Sequence, residues 1–92
     1  MSIENTWKTT FTNWPTGIPR RGVLVNALNE SMPFKSFLIR DDMLLLERTN
    51  PDPLGSRFIL LGFESINSVR FVDPLKESTL TGAGFVGKLA QN

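Results

Sequence analysis

Two adjacent arginines, Arg20 and Arg21, form the only tight basic pair of this 92-residue chain and lie just before a predicted strand. A guanidinium group can donate two parallel hydrogen bonds to a phosphate, so the pair could hold RNA phosphates there. The alternative is structural: a solvated approach to the strand, or ion pairs with Asp41, Asp42 or Asp52. The sequence favours the structural alternative.

Asp41 and Asp42 are a pair of adjacent carboxylates. Such a pair could bind a hard cation, or its members could share the roles of general acid and general base. Neighbouring side chains on a tight turn usually point apart, however, and no third ligand is near in sequence. Short acidic residues also tolerate the positive φ of a two-residue hairpin. We therefore predict a turn here and no metal site.

Most catalytic chemistry is excluded by composition. The chain has neither Cys nor His, so it lacks thiolate nucleophiles, the usual neutral-pH base and the commonest transition-metal ligands. Residues 82–87 (GAGFVG) match a dinucleotide-binding pattern, but no buried strand is predicted before them and no acidic residue follows. The sequence therefore predicts a non-enzymatic protein without a cofactor.

Aromatic residues mark the first element. Ile3, Trp7, Phe11 and Trp14 recur every three or four residues, which places them on one stripe of a helix that Pro15 ends. Such rings could stack on nucleic-acid bases, but no cations are interleaved with them. Helical spacing favours packing against the core, so we expect a docked N-terminal helix.

Five short strands are expected to follow this helix, at residues 22–28, 33–40, 43–49, 57–63 and 66–72. Glu64 and Ser65 break the chain before the last strand, and the proline-rich loop 50–56 is a candidate for partner contacts. The prediction is a mainly β domain at residues 1–73, a small five-stranded antiparallel SH3-like barrel with an N-terminal helix. Residues 74–92 form a flexible Gly-rich tail.

Charge and hydropathy indicate which classes of partner and which cellular location to expect. Lys and Arg number 10 against 9 Asp and Glu, so the chain is nearly neutral, whereas dedicated nucleic-acid binders are usually basic. No apolar run is long enough to span a membrane, and no cationic segment followed by an apolar one opens the chain. We expect a cytoplasmic protein without a membrane partner.

The order of elements resembles the Sm-like superfamily, including its bacterial Hfq-type members. Residues 40–46 (RDDMLLL) are similar to the stretch that joins strands two and three in that family, and residues 65–69 (SINSV) to a stretch of its strand five. The resemblance implies a homo-oligomeric ring in which strand four of one subunit pairs with strand five of the next. It also implies that Asp41 lies near a nucleotide-binding surface.

Two positions depart from the Sm-like pattern. Gly62, Phe63 and Glu64 stand where bacterial members carry the Tyr-Lys-His that binds RNA at the ring pore, and an acidic ring would repel phosphate. Lys35 stands where the family has the glycine that bends strand two, so the curvature is expected elsewhere, near Pro33. The cationic pore motif is therefore absent.

The sequence predicts an interaction or scaffold module that self-assembles, because apolar strands four and five would otherwise leave open edges. Such a module could also contact a protein partner. Predicted subunit contacts are Phe58, Leu60, Ile66, Val69 and Phe71. The alternative is an Hfq-type ring that binds single-stranded RNA through Arg20, Arg21, Arg40, Asp41 and Arg57.

Overall fold

The computed structural model describes residues 6–90 as five strands, two short helices and one 3-10 turn. Their order is α1 (Thr6–Thr12), β1 (Gly22–Asn26), β2 (Ser31–Arg40), β3 (Met43–Arg48), β4 (Phe58–Gly62), the 3-10 turn (Phe63–Ser65), β5 (Ile66–Arg70) and α2 (Glu77–Gly82). The predicted mainly β fold with an N-terminal helix is confirmed. The expectation for Ile3 lies outside the described residues.

All five strands pair antiparallel in one sheet, in the order β4-β3-β2-β1-β5. Strands β4 and β5 follow each other in the chain but occupy opposite edges, and within residues 6–90 they do not pair. The sheet is therefore open in the single chain. Closure into a barrel, which the sequence predicted, is not observed.

The connection between β4 and β5 shows that the sheet must curl. Only the three residues of the 3-10 turn separate the two strands, so the step from Gly62 to Ile66 spans at most about 14 Å. The outer strands of a flat five-stranded sheet lie about 19 Å apart. The two edges therefore approach each other at this turn.

Strand β2 carries an irregularity that changes which side chains face the core. Its register against β3 shifts between Phe34 and Ser36, so Lys35 is an extra residue. The alternation of side chains is reset there, and Phe34 and Phe37 both enter the core, each about 1% exposed. Regular alternation along β2 would place these two rings on opposite faces. The sequence predicted the bend near Pro33, whereas the irregularity falls at Lys35 itself.

The turns that join β1, β2 and β3 follow the predicted chemistry. Asp41 has φ 52°, as expected for the first residue of a tight hairpin, and Asn29 has φ 62°. Strand β1 ends two residues earlier than predicted because the buried Asn26 turns the chain. Its side-chain oxygen accepts hydrogen bonds from the backbone N–H groups of Leu28 and Glu30.

The core lies between α1 and the concave face of the sheet. Phe11 contributes the helix's buried ring, in edge contact with Phe37 at a centroid distance of 4.9 Å, while Trp7 and Trp14 pack at its margin. The aromatic stripe is thus core packing, as its spacing favoured. The buried cluster consists of Phe11, Leu24, Phe34, Phe37, Leu44, Leu46, Phe63 and Ile66.

The predicted tail contains a short helix that the sequence did not reveal. Helix α2 has only six residues, and two hydrogen bonds fold the following residues back on it, from Phe85 N–H to the Leu80 carbonyl and from Leu89 N–H to the Glu77 carboxylate. Both bonds are local, so they organise the segment itself.

Candidate interaction surface

Arg20 and Arg21 are both engaged within the chain. The Arg20 guanidinium lies 3.7 Å from the centroid of the Phe37 ring and donates a 2.8 Å hydrogen bond to the Phe37 carbonyl. Arg21 forms a two-point ion pair with Asp73, whose Nε to Oδ2 distance is 3.0 Å. The acidic partner is Asp73 rather than Asp41, Asp42 or Asp52, which the sequence had considered.

The Arg21–Asp73 pair shifts the pKa values of both side chains so that each charged form is favoured. The side-chain hydrogen bond, with the attraction between the charges, raises the pKa of Arg21 and lowers the pKa of Asp73. The pair joins the start of β1 to the segment after β5, which are neighbours in the sheet. The ion pair therefore links the segment after the edge strand β5 to the start of β1.

The remaining candidate RNA contacts do not converge on one site. Arg40 is the last residue of β2, and its cross-strand neighbours are Met43 on β3 and Gly62 on β4. Arg57 directly precedes β4 and lies five residues before Gly62. At strand spacing this is a separation of roughly 17 Å. Neither side chain has an ion-pair partner in residues 6–90.

The acidic turn is likewise structural. The Asp42 carboxylate accepts a 2.9 Å hydrogen bond from Lys8 of α1, and Asp41 holds the left-handed backbone of the hairpin. Among the described residues no cluster of three or more possible metal ligands occurs. The turn therefore docks α1.

Asp52 organises the loop that the sequence proposed for partner contacts. Its carboxylate accepts hydrogen bonds from the backbone N–H groups of Leu54 and Ser56, at 2.9 and 2.8 Å. These bonds, Ser56 first, lower the pKa of Asp52. The loop presents Leu54, which is 94% exposed, on a fixed turn.

The predicted subunit contacts divide into two groups. Phe58 and Leu60 project from β4 and are 56% and 61% exposed. Phe71, just beyond β5, is 41% exposed and contacts the Trp14 ring. Ile66 instead lies in the core at 7% exposure, and Val69 packs against that core, because both point to the concave face.

The hydrogen bonds between β3 and β4 identify which backbone groups of β4 are unpaired. Arg48 N–H donates to the Arg57 carbonyl at 2.8 Å, and Phe63 N–H donates to the Asp42 carbonyl at 3.4 Å. Because antiparallel residues alternate between facing and leaving their neighbour, the N–H and C=O groups of Phe58, Leu60 and Gly62 point away from β3. Within residues 6–90, strand β4 thus has a free hydrogen-bonding edge.

An apolar patch on the convex side of the sheet was missed by the sequence analysis. We call it the outer apolar face, and it consists of Leu38, Met43, Leu45, Phe58 and Leu60. It borders a shallow groove of about 470 Å³. The available signal was that neither face of β2 is wholly polar and that β3 reads MLLLER, with three consecutive leucines.

Phe63 and Glu64 stand where the Sm-like resemblance would place RNA-binding pore residues, and neither side chain is cationic. Phe63 is 1% exposed and lies in the core with its ring centroid 6.1 Å from that of Phe11, while Glu64 is exposed. Phe63 is therefore required for packing.

Comparison of the chain with protein-family models, with curated proteins and with solved structures gives no match. Neither described helix is long and apolar enough to cross a membrane.

Proposed function

We propose that this chain is a non-catalytic interaction module of the Sm-like or SH3-like kind that assembles edge to edge, β4 of one copy against β5 of the next, into a homo-oligomeric ring. The observation that carries the proposal is the strand order. It leaves β4 and β5 at opposite edges, each five residues long and each unpaired on one side in residues 6–90.

Edge exposure supports assembly over a lone domain. Unpaired edge backbone invites pairing with another chain unless charge, proline or a covering segment blocks it. Strand β4 reads FILLG, with no charge and no proline, and α1 packs on the concave face near the 3-10 turn rather than along β4. Its edge is thus open to another strand.

A ring follows from the use of two different edges. Pairing between unlike surfaces propagates from copy to copy and closes when the rotation between copies divides a full turn. The curled sheet brings the two edges toward each other, so successive copies would turn rather than extend in a straight line. The resulting scaffold would present the Asp52 loop of each copy for a protein partner.

RNA binding is the weaker alternative, because the arginines predicted to contact RNA either have partners within the chain or lie far apart. Arg20 and Arg21 are held by Phe37 and Asp73, and Arg40 and Arg57 lie far apart. A phosphate-binding ring would show affinity for single-stranded RNA that falls steeply with salt. We expect no such affinity.

Substitution of the β4 edge tests the assembly. Leu60→Pro removes an outward N–H group without removing a bond to β3, so we expect it to reduce the assembly to at most two chains. The wild type should contain three or more chains of 10.3 kDa each. Sedimentation equilibrium measures both masses.

Leu60→Thr is the matched control, because it shortens the same side chain but keeps the N–H group and a strand-forming residue. It should retain more of the assembly than Leu60→Pro. A wild-type mass of one or two chains, or a Leu60→Pro mass equal to that of the wild type, would overturn the ring.

A further inference from the structure

Edge pairing leaves the outer apolar face uncovered. A strand added beside β4 extends the sheet in its own plane, whereas side chains stand perpendicular to that plane. Leu38 lies on β2, two strands from the β4 edge, and is 67% exposed. Its exposure therefore calls for a second contact that approaches the sheet from its convex side.

The face has a regular layout. Leu38, Leu45 and Leu60 are cross-strand neighbours and form its central row. The row on one side consists of Arg40, Met43 and Gly62, and the row on the other side of Ser36, Glu47 and Phe58. An apolar row is thus flanked by a cation at one end of the strands and an anion at the other.

The two flanking charged side chains, Arg40 and Glu47, have few or no partners within the chain. The Arg40 side chain has no hydrogen-bond or ion-pair partner in the described part of the chain. Glu47 has only a long 4.0 Å contact with Lys35, and its side chain remains 41% exposed. Both charges can therefore accept a further partner at the rim of a contact.

We propose that the outer apolar face is covered by the same face of a second copy, related by a twofold axis along the Leu38, Leu45 and Leu60 row. This rotation stacks the central rows and reverses the strand direction. It brings Arg40 of each copy toward Glu47 of the other across sheets about 10 Å apart, a gap that an arginine and a glutamate can bridge.

Charge complementarity selects both this occupant and this axis. A twofold axis parallel to the strands would instead place Arg40 against Arg40 and Glu47 against Glu47. The contact is self-complementary, so it closes after two copies. It does not depend on the ring, and if both occur, face contacts join rings in pairs.

Charge exchange tests the contact. Arg40→Glu and Glu47→Arg should each weaken face pairing at least about tenfold, because each turns two attractive pairs repulsive. The double variant restores opposite charges and should recover the affinity. Leu38→Lys should weaken pairing more, since it buries two charges. The dissociation constants are measured by sedimentation equilibrium at low salt.

Leu28→Lys is the matched control, because Leu28 is 80% exposed in the β1–β2 turn, away from the face. It should leave the mass unchanged. Equal masses for Leu38→Lys and the wild type would overturn the proposal, as would failure of the double charge exchange to recover pairing.

Combining variants separates face pairing from the ring. Leu38→Lys should halve the wild-type mass if rings are joined in pairs, and Leu38→Lys with Leu60→Pro should give one chain of 10.3 kDa. Because Leu60 also belongs to the outer apolar face, Leu60→Pro is compared with Leu60→Thr rather than with the wild type. A Leu38→Lys effect with equal masses for Leu60→Pro and Leu60→Thr would support the face and contradict the ring. The reverse pattern would support the ring and contradict the face.

Discussion

Arg20 and Arg21 illustrate how the same residue type serves different structural roles at adjacent positions. Arg20 places its guanidinium over the Phe37 ring, and Arg21 donates two hydrogen bonds to the Asp73 carboxylate. The sequence favoured a structural role, either a solvated approach to the strand or an ion pair, over phosphate binding. It could not name Asp73, which is 52 residues away, because that proximity depends on the pairing of β1 with β5.

Asp52 gives a pH-dependent prediction at the residue scale. Its pKa is lowered in the folded chain, so its ionised form stabilises the fold above the ordinary carboxyl pKa, and this stabilisation is lost as pH falls toward the lowered value. Asp52→Ala should therefore reduce stability at pH 7, and its difference from wild type should shrink below about pH 4. Urea unfolding at a series of pH values measures it.

Asp52→Asn is the control for this titration, because its amide oxygen can still accept the Leu54 and Ser56 hydrogen bonds but cannot ionise. It should be less destabilising than Asp52→Ala at pH 7. A difference between wild type and Asp52→Ala that stays constant from pH 7 to pH 3 would contradict the assignment.

At the scale of elements, the close approach of β1 and β5 depends on Gly22. A Cβ at this position would lie 2.5 Å from the Arg70 carbonyl oxygen, a backbone atom that cannot move without shifting β5. We expect Gly22→Ala to reduce the free energy of unfolding by about 1–3 kcal/mol, the usual cost of overpacking. Denaturant unfolding measures the change.

Gly62→Ala is the matched control for Gly22→Ala. The three atoms nearest to a Cβ there belong to the Glu64 carboxylate, the end of an exposed and flexible side chain. Its cost should be clearly smaller. Equal stability of Gly22→Ala and the wild type would show that β1 and β5 are further apart than described.

Periodicity predicted the elements better than their irregularities. The five strands and the hairpin at Asp41 follow from local apolar patterns and turn chemistry. The extra residue at Lys35 does not, since lysine carries no local preference for such a position; it arises because two large rings, Phe34 and Phe37, both gain by entering the core. Tertiary packing decided this feature.

For the whole molecule, the sequence predicted exposed apolar strand edges, and the residues it named for them differ in exposure. Phe58 and Leu60 are exposed as expected, whereas Ile66 belongs to the core. Strand alternation could not settle this, because the register of β5 against β1 also shifts, between Val25 and Asn26. The outer apolar face became recognisable only when the pairing of β2, β3 and β4 aligned its leucines.

Amide hydrogen exchange at Leu60 tests edge pairing most directly. The Leu60 N–H group points away from β3 and has no strand beside it in residues 6–90, so a strand from another copy would protect it. The Leu61 N–H group faces β3 and serves as the internal reference. We predict that Leu60 is protected at high protein concentration and loses protection on dilution, while Leu61 stays protected. Rapid exchange of Leu60 at every concentration would contradict the account.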